Sequence, residues 1–105
     1  MITFKNCGQE QFLILPGGFS VHRLQLGPQV QVTILQRGEV YQGAEQDPIL
    51  GAFSRTFPNT VTDEEIFLWC EDVLRGERDH QVALMDQADE RAVRTQEAIS
   101  ALEDR

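Results

Sequence analysis

The sequence predicts an α+β chain: a small N-terminal antiparallel β-meander, barrel- or sandwich-like, followed by a C-terminal acidic helical arm with Gly76 as its candidate break. Three observations carry this. Apolar residues alternate with a period of two through residues 1–57. Turn signals recur near positions 17, 27 and 38, the spacing of consecutive hairpins. Beyond Pro58-Asn59 the apolar period lengthens to that of a helix, and the charge becomes acidic. The division expected is therefore a β-module over 1–57 and a helical arm over 58–105.

Ile2-Thr3-Phe4 reads as a first short strand. Phe12 to Leu15 is an apolar run suited to a strand covered on both faces. Pro16-Gly17-Gly18 supplies a turn, because proline presets one dihedral and glycine accepts a positive one. Ser20 to Leu26 alternates, with His22, Leu24 and Leu26 on one face, and Gly27-Pro28 ends it. Gln29 to Gln36 alternates most cleanly, setting Val30, Val32 and Ile34 against Gln29, Gln31 and Thr33. Arg37-Gly38 turns into a short strand at Glu39-Val40-Tyr41. A loop over 42–51 precedes a last candidate strand, Ala52 to Phe57.

Thr62-Asp63-Glu64-Glu65 has the form of a capping box, with Val61 and Ile66 placed as a hydrophobic staple. The three acids also suit the positive end of a helix dipole. Ile66, Cys70, Val73 and Leu74 follow on one side, widened by Phe67 and Trp69. An arc this broad is expected to pack on the sheet.

Gly76 then offers a break, and residues 82–102 read as helix almost without exception. Met85, Ala88, Ala92, Thr95, Ile99 and Leu102 form a narrow stripe with the 3,4 spacing of a coiled-coil seam. An uninterrupted helix of roughly 25 residues would span nearly 40 Å at about 1.5 Å per residue. It would overhang so slight a β-body, so the seam is expected to meet a partner.

Charge narrows the functions. The chain of 105 residues carries a net charge of −8. Lys5, Arg23, Arg37 and Arg55 balance Glu10, Glu39, Glu45 and Asp47 in the first half, whereas 58–105 holds 13 acids and 5 arginines. Nucleic-acid backbones need a basic face, so direct binding to them is not expected. An acidic surface does not favour an anionic membrane either, and no apolar run approaches the roughly 20 residues that cross one. MITFKNCGQEQ lacks a basic segment followed by an apolar one, so no secretory signal is recognised and a cytoplasmic or virion setting is expected. Cys7 and Cys70, without a spacing pattern, read as free thiols.

Catalytic, metal and cofactor signatures are missing from the sequence. His22 reads as a structural strand histidine. His80 has no nucleophile implied beside it. Neighbouring carboxylates such as Glu64-Glu65 diverge by about 100° around a helix and cannot clasp one ion. HExxH, EF-hand, P-loop, GxGxxG and GxSxG do not occur. No enzymatic activity, cofactor or metal is expected.

The expected work is structural: an accessory subunit of a larger assembly, as in virus or phage particles, or a homo-oligomer. An open meander leaves two edges of unpaired backbone groups. The eight glutamines of the first half would solvate those edges without repelling a neighbour. The alternative is an acidic inhibitor whose carboxylates imitate phosphates for a basic protein.

Overall fold

The computed structural model describes residues 4–8, 10–37, 49–83 and 89–105. Five strands form one antiparallel sheet: β1 (Lys5–Cys7), β2 (Glu10–Ile14), β3 (Phe19–Leu26), β4 (Gln29–Arg37) and β5 (Ile49–Pro58). Their order in space is their order in the chain, so every link between neighbours is a hairpin. The sheet is open, with β1 and β5 at its edges.

The residues at the turns explain the hairpins. Gly27 takes φ of 60° between β3 and β4, a left-handed conformation that costs glycine little. Pro16–Gly18 forms a single 3₁₀ turn between β2 and β3, closed by a 2.9 Å bond from the Leu15 amide to the Phe19 carbonyl. Gly17, at φ of 82°, backs directly onto α2; a Cβ there would lie 2.4 Å from the Arg94 carbonyl oxygen.

The register then sorts the side chains. Val21 sits opposite Leu13 on one side and Ile34 on the other, and Ile34 sits opposite Phe53. With Phe19, Val30, Val32 and Phe57 they make one apolar face. Phe12 to Leu15 is covered on that face only: Leu13 and Leu15 are buried, whereas Ile14 is 65% exposed. The described residues supply two helices, and both lie on the same side. β1 begins at Lys5; of the strand predicted at Ile2-Thr3-Phe4, Phe4 precedes β1 and Ile2 and Thr3 lie outside the described residues, while β5 begins at Ile49, three residues before the predicted start. The strand predicted at Glu39-Val40-Tyr41 lies outside the described residues.

α1 (Asp63–Ala83) starts where the capping residues indicate. The Thr62 hydroxyl accepts the Glu65 amide at 3.2 Å, and Val61 and Ile66 are both buried. Asp63 also pairs with Arg23 of β3 at 2.5 Å, which ties the first turn to the sheet. Gly76 does not break this helix. It is exposed with open space around it, and the ~1 kcal/mol that glycine costs in a helix interior is small beside the burial of Leu74 and Gln81 on either side.

α2 (Asp89–Glu103) returns along α1. The helices therefore form a pair on the sheet, not a projecting arm. Ile66, Phe67, Cys70 and Leu74 of α1 join Ala98, Ile99 and Leu102 of α2 and the strand face in one core. Phe4 stacks on Phe67 with centroids 5.5 Å apart, and Trp69 meets Phe57 edge-on at 5.8 Å.

Arg105 locks the pair. Its guanidinium makes a fork with both Glu64 oxygens, donates to Glu71 and to the Leu102 carbonyl, and lies over the Phe67 ring. These hydrogen bonds hold the Glu64 carboxyl below its usual range. Glu71 is 5% exposed and pairs with this guanidinium, with Arg75 more distant at 3.9 Å.

Two predictions follow from these placements. In urea denaturation, Gly76→Ala stabilises by about 0.5–1 kcal/mol, because an exposed helical site gains propensity; Gly17→Ala destabilises, because its Cβ strikes α2 backbone. Arg105→Ala costs about 1–3 kcal/mol by leaving a buried carboxylate poorly paired. Adding Glu71→Leu to Arg105→Ala recovers part of that loss, read from a double-mutant cycle.

Candidate interaction surface

A sheet has two faces, and here the helices cover one. The other carries Phe12, Ile14, His22, Leu24, Leu26 and Leu35 among polar neighbours. Ile14 is 65% and Leu26 47% exposed, and Phe12, Leu24 and Leu35 are half-buried. Across β4 and β5 the same face turns polar: Gln31 donates to the Ser54 hydroxyl, and Thr33 meets that hydroxyl at 3.3 Å.

The edges differ in length. β1 has three residues, whereas β5 has ten and pairs only with β4 among the described residues. Long edges are usually blunted by charge or proline. In β5 the ionisable residue is Arg55, drawn over the Phe57 ring at 4.7 Å, and the proline comes last, at Pro58.

The predicted helix seam lies elsewhere. Thr95, Ile99 and Leu102 are fully buried and Ala92 is half-buried, while Met85 and Ala88 fall outside the described residues. Thr95 sits 2.9 Å from Gln81 of α1 and 2.8 Å from the Arg91 carbonyl. The chain itself covers these members of the stripe. Of the predicted helix–sheet residues, Ile66, Phe67, Cys70 and Leu74 are buried, and Trp69 and Val73 pack half-covered against the same core. The acids of the helices are also engaged internally: Asp63, Glu64, Glu71, Asp72, Asp79 and Glu103 each lie within ion-pair distance of an arginine of this chain.

His22 shares its face of β3 with Leu24 and Leu26, as predicted, but that face turns away from the helices, and the ring lies between two polar groups. Its Nε2 is 3.0 Å from the Ser20 hydroxyl, and its Nδ1 is 3.0 Å from Glu10 Oε1. Period-two spacing alone puts Ser20 and His22 on one face. Glu10 joins them only through the β2–β3 register, in which it sits opposite Leu24, one step along the same face. Among the described residues no cluster of three or more metal-ligating side chains occurs. No described helix is long and apolar enough to cross a membrane. Comparisons with protein-family models, curated proteins and solved structures find no match.

Cys70 is fully buried under the sheet. Burial, helped by the neighbouring Glu71 charge, pushes its thiol up to about 12 from 9.0. Raising this pKa on folding favours the protonated native form. Stability is therefore unaffected below pH 9 and falls between pH 9 and about 12, where only the unfolded thiolate forms. Denaturation at stepped pH should show wild type losing up to roughly 1.4 kcal/mol per pH unit relative to Cys70→Ala in that window.

Proposed function

We propose that this protein is a structural or assembly protein: a subunit that joins a larger assembly, in the first instance copies of itself, by extending its sheet. The edge of β5 that meets no other described strand carries this reading. A ten-residue strand whose one neighbour among the described residues is β4 offers a row of backbone donors and acceptors that a second strand can complete. A two-fold pairing centred on Ser54 sets Arg55 against Phe53 of the other copy, so the arginines do not face each other. Such a contact adds to the sheet without disturbing the helix-covered core. The accessible apolar residues at the Leu24–Leu26 end of the uncovered face give a larger assembly further surface to grip.

An acidic decoy is the runner-up. Internal pairing of the helix carboxylates weighs against it, since a phosphate mimic needs its acids free for a basic partner.

Light scattering on the intact chain separates the two. The assembly reading expects a defined oligomer whose mass holds from low to high salt. Ser54→Lys/Thr56→Lys places charges on the exposed edge and should give a monomer with an unchanged melting profile. A wild-type chain that stays monomeric at several hundred micromolar sinks self-association (roughly the range where weak interfaces of about 5 kcal/mol fill).

A further inference from the structure

Assembly through β5 leaves one arrangement on the sheet unexplained. Ser20, His22 and Glu10 form a hydrogen-bonded chain with 3.0 Å at each link. The nitrogens are used in a definite sense. A carboxylate can only accept, so Nδ1 carries the proton and donates it to Glu10. Nε2 is then left with a lone pair facing the serine hydroxyl, the orientation in which an imidazole takes a serine proton. The roles of nucleophile, base and orienting acid are recognised by such geometry, whatever the order in the chain.

A cavity adjoins the serine. It has a volume of about 360 Å³, and Ile14, Leu15, Phe19, Ser20 and His22 are among the residues that line it. Arg37 also lines it. An apolar lining beside a nucleophile suits an acyl chain. A guanidinium suits the negative charge that grows on a carbonyl oxygen under attack.

We infer that Ser20, His22 and Glu10 form an acyl-transfer relay for carboxylic esters with a short apolar acyl chain. Ser20 Oγ forms a bond to the carbonyl carbon as His22 Nε2 takes its proton. The ester C–O bond breaks, and the same proton passes to the departing alkoxide, which leaves as the alcohol. Water, deprotonated by His22, then attacks the acyl-serine; carboxylic acid is released and the proton returns to Ser20. Glu10 is a positioning residue, holding the imidazole tautomer. The site lies over β2 and β3, away from the β5 edge, so it stands apart from the assembly reading.

The test uses the full chain and an alkyl fluorophosphonate, which transfers phosphorus to an activated serine and releases fluoride. Intact mass and peptide mapping should find one adduct, on Ser20, and p-nitrophenyl butyrate should be hydrolysed. Ser20→Ala abolishes both. His22→Gln slows both by about 10²–10⁴-fold, the usual worth of a general base. Glu10→Gln slows them, and Glu10→Asp restores part of the rate. The wild-type chain alone decides against the inference if Ser20 stays unmodified, or if ester hydrolysis matches that of Ser20→Ala. The hydrogen bonds would then serve only to satisfy a hydroxyl on a residue 5% exposed.

Discussion

Every strand pair in this sheet is a hairpin, and both described helices follow it and seat on the same face. That one-sided cover organises this molecule. The strands place Leu13, Val21, Val32 and Ile34 on one side by strict alternation, and a one-residue slip would turn the whole set outward. The helix pair must therefore seat on that side, and the remaining side must be tolerable to water or to another molecule. Polar pairs such as Thr33 with Ser54 serve the first purpose, while Ile14 and Leu26 do nothing for it.

The seating of the helices depends on contacts at both ends of the pair. At one end the Pro16–Gly18 turn lets the sheet approach α2 closely enough that only glycine fits at position 17. At the other, Arg105 gathers two acids of α1 beneath the last turn of α2. Between them Gln81 and Thr95 form a buried polar pair that fixes how the helices face each other. Directional contacts of this kind favour one packing over its slipped alternatives.

Much of this fold was legible from residue types. The period-two runs, the glycine turns and the Thr62 cap each reflect local stereochemistry, so they read directly. What escaped was tertiary. Gly76 looks like a stop because its local preference is poor, yet packing at Leu74 and Gln81 overrides it. The 3,4 stripe ending at Ile99 and Leu102 reads identically whether the covering surface is another chain or α1, because periodicity records a need for burial and not its source. His22 shares a face with Leu24 and Leu26, as alternation predicts, but alternation does not say which face the helices cover; the cross-strand neighbours that decide it lie on β2 and β4. For the same reason Glu10 could not be joined to Ser20 and His22 before the register was known.

The position of both helices after every strand has a consequence for synthesis. A ribosome that has just delivered β5 still has to make residues 63–103, which takes roughly 2–8 s at ~5–20 residues per second. Until α1 and α2 follow, the oily side of the sheet has no helix to close over it.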